Sequence, residues 1–165
     1  MPGVARAAGA GRLRREYLRN DEGWGPMTDP LAAVLARYPG AVSFRYGDSA
    51  ALNAEILALV RAGTKTMTCD ALAAFEARGE ALPETGRIDI ALDWEGAPAL
   101  AVETVKVERI RFDRMDEGRI PPQGEFRDLA HWRAGYEAYL TRAGHFAPDA
   151  MMVVETFRVV EDFGK

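Results

Sequence analysis

Apolar positions in this chain switch between helical spacing and strict alternation, and the switches mark out its elements. Asp29-Pro30 opens a short helix with Leu31, Val34 and Leu35 on one face, and Pro39-Gly40 ends it. Residues 41–46 form a short β-prone run, and Gly47-Asp48-Ser49 supplies a turn and an N-cap. Leu52, Ile56, Leu59 and Val60 then share one helical face, and Gly63 stands where a left-handed helix terminator belongs. Residues 66–69 are short and β-prone. A helix is predicted over 70–77, with Leu72, Phe75 and Ala73 inward and Gly79 as its stop.

The second half begins with alternation. Ile88, Ile90, Leu92 and Trp94 interleave with Asp89, Ala91 and Asp93, which predicts a strand, and Glu95-Gly96 predicts the hairpin turn after it. The return run over 99–111 carries Leu100 and Val102, then Val105 and Val107. Its phase changes near Thr104, so a bulge or bend is expected there. Residues 115–124 read as loop. A helix over 126–142 carries Leu129, Trp132, Tyr136, Tyr139 and Leu140 as its stripe, and residues 151–160 form a last strand. Strands outnumber what a doubly wound sheet needs and do not alternate regularly with helices. The pattern predicts an α+β domain on a small, strongly bent sheet or barrel.

Composition narrows this picture. The 165 residues, 48% hydrophobic and 28% charged, suit one globular domain. Residues 1–26 differ, being rich in Ala, Gly and Arg, and read as a flexible N-terminal tail ahead of a domain over 27–165. No apolar run reaches the roughly 20 residues that span a bilayer, and no secretory h-region follows the N-terminal arginines. With a single cysteine, Cys69, no internal disulfide can form, and a cytoplasmic location is expected. The net charge of −4 argues against a general duplex-DNA binder and favours a local groove for a nucleoside or a short single strand. His131 and His145 lack ligand spacing, so no metal or other cofactor is expected.

The candidate chemistry centres on Gly63-Thr64-Lys65-Thr66-Met67-Thr68, one cation and three hydroxyls where a helix ends. A phosphate-binding P-loop needs a glycine-rich turn between a strand and a helix, with Gly next to Lys. Here the order is helix then strand, and Thr64 separates Gly63 from Lys65. In an extended run Lys65 and Met67 face one way and Thr66 and Thr68 the other, so a turn is needed to bring Lys65 to Thr68. The competing reading is a solvent-facing lysine on a threonine run. Glu125 either complements the N-terminus of the helix after it or stands at a loop mouth as a general acid or base. Trp94 and Trp132 read as core, Cys69 as a small buried side chain, and Glu103 and Glu108 as solvent-face charges.

From about Phe44 onward these residues resemble the ASCH domain family, a relative of the PUA RNA-binding fold. The resemblance rests on Gly47-Asp48-Ser49 before a core helix and the G-x-K-x-x-T element Gly63/Lys65/Thr68. It also rests on the Gly86-anchored hairpin and on Glu125…Leu129…Trp132 at a helix start. It implies a small β-barrel flanked by helices, with a cleft carrying the motif. It also implies a ligand that is RNA, a nucleotide or a modified nucleoside, held by Gly63, Thr64, Thr66, Asp48, Ser49 and Arg45. In members that resemble amidohydrolases of N4-acylated cytidine, the catalytic roles would fall on Lys65, Thr68 and Glu125; ribonuclease activity is the less favoured alternative. Binding without turnover uses the same cleft.

Overall fold

In the computed structural model, residues 29–164 are described, together with three short strands in the segment before them. Those strands are β1 (Arg6–Ala8), β2 (Tyr17–Asn20) and β3 (Gly23–Pro26). The expected flexible tail otherwise lies outside the described residues. The order then runs α1 (Pro30–Arg37), β4 (Ser43–Tyr46), α2 (Ala50–Arg61), β5 (Met67–Ala71), α3 (Leu72–Arg78), β6 (Ile88–Leu92), β7 (Pro98–Arg111), α4 (Leu129–Ala143) and β8 (Met151–Asp162). Three single-turn 3-10 helices (Phe112–Arg114, Glu117–Arg119, Pro121–Gln123) form a strap between β7 and α4.

The helices start and stop where side-chain chemistry dictates. Asp29 and Ser49 accept N-cap hydrogen bonds from Leu31 and Leu52. At the end of α2, Gly63 takes φ +75°, and the Gly63 and Thr64 amides return to the carbonyls of Val60 and Leu59. This closes the helix with its last carbonyls satisfied. In α3 the inward alanine is Ala74 rather than Ala73, because the helix begins later than the pattern suggested. α4 also begins later, with Asp128 accepting from the His131 amide, so residues 126–128 are not helical.

β4, β6, β7, β8 and β5 lie side by side in that order, with β1 added outside β4. The β4–β6 pairing is parallel and the others antiparallel. The sheet does not close into a barrel; β5 is an edge. It is bent nonetheless. β7 pairs with β8 over eleven positions interrupted by register shifts at Ala101/Val102 and Thr104/Lys106, the second where the sequence phase changes. The bend brings Tyr46 of β4 within 6.1 Å, ring to ring, of Phe157 of β8.

Each face of the sheet has its own core. α2 covers one face, packing Leu52, Ile56, Leu57 and Val60 on Phe44, Tyr46, Leu100, Val102 and Phe157. α4 covers the other at the β5–β8 end, packing Trp132, Tyr136 and Leu140 on Met67, Cys69, Met152 and Val154, with Ile110 against them. α1 lies on that same second face over Ile90, Leu92 and Ala101. Trp132 is fully buried, stacked 5.1 Å from Phe112, which makes it one of the larger single contributions to this core, on the order of 2–3 kcal/mol. Trp94 does not join the core. It lies 40% exposed beyond the end of β6, with the Arg45 guanidinium 5.9 Å from its ring centre. The alternation that predicted its burial ends at Leu92, where β6 gives way to the hairpin turn.

Candidate functional site

β5 is an edge strand, and an unpaired edge has open backbone groups. The strap covers its entrance: the Thr66 amide donates to the Pro122 carbonyl while the Thr66 carbonyl accepts from Phe157 of β8. Gln123 fixes the strap to the core. Its side-chain oxygen accepts from Trp132 Nε1 at 2.9 Å and lies 3.5 Å from Cys69 Sγ, and its amide nitrogen donates to the Arg119 carbonyl. Gly124 then turns at φ +82° directly over Lys65, where a Cβ would stand 3.0 Å from the Lys65 Cβ. That turn delivers Glu125.

Lys65 and Glu125 meet in the interior. Lys65 Nζ stands 2.5 Å from Glu125 Oε1, with the two side chains 1% and 6% exposed. Nζ also donates to the carbonyls of Met67 and Gln123, each at 2.9 Å. Lys65 Nζ is the cation paired with the Glu125 carboxylate, and the second Glu125 oxygen has no hydrogen-bond partner among the described residues. Burial pushes the Glu125 carboxyl above the usual carboxylate range; Lys65 opposes this and Glu55 on α2 adds to it. Glu125 is therefore not a helix cap, a task that falls to Asp128.

Thr68 is turned away from this pair. Alternation along β5 puts Met67, Cys69 and Ala71 against α4, and Thr68 and Asp70 on the opposite face. Thr68 is 4% exposed and its Oγ1 has no hydrogen-bond partner among the described residues. Glu155 of β8 pairs directly across from it, buried, and accepts a 2.7 Å hydrogen bond from Thr104 Oγ1. Thr68, Asp70, Phe75, Pro83, Val153 and Glu155 line a small pocket. Asp70 accepts from the Ala71 amide and from Arg78; burial nonetheless raises its carboxyl above the usual range. Burial also pushes the Cys69 thiol up to about 12, so it stays protonated and is no nucleophile.

A larger cleft of about 290 Å³ is lined by Val60, Arg61, Gly63, Lys65, Thr66 and Phe157, with Arg158 and Val159 also on its wall. Of the other sequence candidates, Thr64 is exposed and its amide serves the α2 terminus. Ser49 is occupied as the α2 cap, and Asp48 is exposed beside it. Arg45 lies on β4 and donates to the Asp93 carbonyl of the hairpin turn, with three strands between it and β5 in the sheet order. Among the described residues no group of acidic, His or Cys side chains is placed to hold a metal ion, and no helix is long and apolar enough to cross a membrane.

Sequence reasoning missed Glu155 and Thr104. The signal was there for Glu155: it sits between Val153 and Phe157 at an inward position of an alternating strand, where a carboxylate needs a reason. Gln123 was passed over as part of a loop, although its side chain is fully buried.

The model of the ASCH domain matches residues 42–161. The chain belongs to the ASCH domain family. Its fold is similar to that of an ASCH domain from Lactobacillus crispatus JV V101, at a TM-score of 0.68 and 22% identity, over 78% of this chain and 84% of that one. It is also similar to a crystal structure of a protein from Enterococcus faecalis V583, at a TM-score of 0.67 and 27% identity, over 79% and 85% of the two chains. None of the curated proteins matches the chain significantly. The ASCH assignment relates the open, bent sheet to the PUA-like folds often linked to RNA binding.

Proposed function

We propose that this ASCH domain binds RNA or a modified nucleoside in the cleft beside the G-x-K-x-x-T segment. One observation carries the reading. Among the described residues, the buried side-chain polar atoms without a hydrogen-bond partner are Arg119 Nε, Thr68 Oγ1 and both oxygens of Glu125. Buried polar groups are almost always satisfied in folded proteins. The Thr68 hydroxyl and the second Glu125 oxygen, on a carboxylate already paired with Lys65 Nζ, suit a site whose partner is a ligand's polar edge. The cleft, about 290 Å³, is near the size of a small ligand site, with the part-exposed Val159 on its wall for a base and Arg61 and Arg158 near a phosphate. Both arginines are ion-paired, to Asp162 and Glu103, so a phosphate would compete for them.

The test is fluorescence anisotropy with short single-stranded RNA at two salt concentrations, comparing wild type with Arg158→Ala and Glu125→Gln. Both variants are expected to weaken binding, and Arg158→Ala to flatten the salt dependence. Equal binding by all three proteins would remove the cleft from consideration.

The 2.5 Å contact of Lys65 with Glu125 also favours a second reading, an amidohydrolase acting on N4-acylated cytidine. Thr68 would be the nucleophile and Glu125 the proton carrier. Binding ranks first because Lys65 makes no hydrogen bond to Thr68 and holds two main-chain carbonyls instead. Assay of acylated cytidines with Lys65→Ala and Thr68→Ala controls decides between them; no release of deacylated nucleoside sinks the second reading.

A further inference from the structure

The cations on the wall of the cleft, Arg61, Lys65 and Arg158, are not equally engaged. Lys65 turns its ammonium to Glu125 and to the carbonyls of Met67 and Gln123. Arg158 gives both Nε and Nη2 to Glu103 Oε2, at 2.9 and 2.7 Å. Arg61 is held more loosely. Only its Nε donates, to the two oxygens of Asp162 at 3.3 and 3.2 Å, and its Nη1 and Nη2 reach no acceptor among the described residues. Arg61 is not needed at the end of α2 either, because the Gly63 and Thr64 amides already close that helix. Among the described residues, Asp162 is the one acidic side chain that lines the cleft. The turn after β8 fixes it there. The Gly164 amide donates to Asp162 Oδ1 at 2.9 Å, and a Cβ on Gly164 would lie 3.0 Å from Arg61 Nη2.

We infer that Arg61 anchors a ligand phosphate in this cleft and that Asp162 is its internal competitor, a carboxylate that keeps phosphate binding weak. The inference rests on the binding reading above and ranks its two arginines. The Nη edge of a guanidinium suits two phosphate oxygens, and at Arg61 that edge is not spent on the protein. At Arg158 part of it is committed to Glu103. The Asp162 carboxylate stands against the same Arg61 guanidinium, so it repels an arriving phosphate over a few ångströms. The phosphate can still prevail. The Arg61 and Asp162 side chains are 38% and 14% exposed, and ion pairs open to solvent hold weakly. A neutral nucleoside meets neither the attraction nor the repulsion.

Calorimetric titration with cytidine and 5′-CMP, and anisotropy with labelled oligo(rC), separate the phosphate from the base and a free nucleotide from a strand. At least one phosphorylated form is expected to bind more tightly than cytidine. Arg61→Ala is expected to weaken that form about tenfold or more, and Arg158→Ala to weaken it less. Arg61→Lys, which keeps the charge without the fork, is expected to fall between wild type and Arg61→Ala. Asp162→Asn, which keeps an acceptor for the Gly164 amide, is expected to tighten binding about two- to fivefold, and to have no effect in the Arg61→Ala background. Asp113→Asn removes an equal charge from an ion pair outside the cleft and is expected to change nothing. A gain from Asp162→Asn that persists without Arg61, or that Asp113→Asn reproduces, is a net-charge effect and overturns the inference. So does the absence of any gain from Asp162→Asn, equal binding of cytidine and its phosphorylated forms, or equal binding by wild type and both Arg61 variants; the binding reading then stands. Failure of every ligand to bind overturns both.

Discussion

Lys65 Nζ and Glu125 Oε1 stand 2.5 Å apart in the interior, one side chain from the turn after α2 and the other from the end of the strap. Their pairing ties the edge strand to the segment that covers it. It also means that neither charge can be removed alone without cost.

Lys65→Met is expected to destabilise the domain by about 3–5 kcal/mol, because it leaves a buried carboxylate uncompensated. The carbonyls of Met67 and Gln123 lose their donor as well. Lys65→Met combined with Glu125→Leu is expected to recover most of the loss. Urea denaturation of the two single variants and the double variant measures the coupling.

Glu125 makes stability fall as pH rises. Its folded-state carboxyl is held above the usual range by burial. Between the unfolded value of about 4.3 and that raised value, the folded state binds more protons than the unfolded one. The contribution is fully present below the unfolded value and lost as pH climbs through the folded one. Glu125→Gln is expected to lack this slope, so stability should shift in favour of the variant as pH rises. Denaturation curves collected from about pH 4 upward, compared with wild type, check the sign.

Thr68→Val is expected to hold or raise Tm. The hydroxyl it removes is buried and unpartnered, and the replacement has nearly the same shape. A clear fall in Tm, measured calorimetrically, would show that Thr68 has a structural partner, and would weaken its place in a ligand site.

Gly124→Ala is expected to cost about 1–3 kcal/mol. The residue sits at φ +82°, and its new methyl group would press on the Lys65 Cβ and backbone. Gly63→Ala shares the positive φ but meets open space, so its cost is expected to be smaller, about 1 kcal/mol. Thermal unfolding of the two variants separates backbone strain from collision.

Elements with local signals were legible in the sequence. The α2 terminus at Gly63, the β6–β7 hairpin and the phase change at Thr104 all follow from neighbouring residues, and all appear in the structure. The meeting of Lys65 and Glu125 was legible only through family resemblance, because a turn at Gly124 and an anchor at Gln123 produce it, and neither has a periodic signature. Trp94 was misplaced because alternation does not announce where a strand ends. Glu155 was missed because attention to its apolar neighbours hid the charge among them. The start of α4 was set too early because Phe126 packs like a helix residue while Asp128 does the capping.

The bulge at Thr104/Lys106 also decides how the chain can be edited. Before it, Thr104 shares the α2 face with Phe157; after it, Ile110 packs under α4 on the opposite face, although both are even-numbered positions. One extra residue has reversed the parity of the ribbon. Removing that extra residue, Val105, would let β7 pair one-to-one with β8 and leave Thr104 and Ile110 on their present faces, whereas removing a pair would put Ile110 out of phase with Met152. Relatives that lack the extra residue are therefore expected to keep both core assignments on a straighter ribbon.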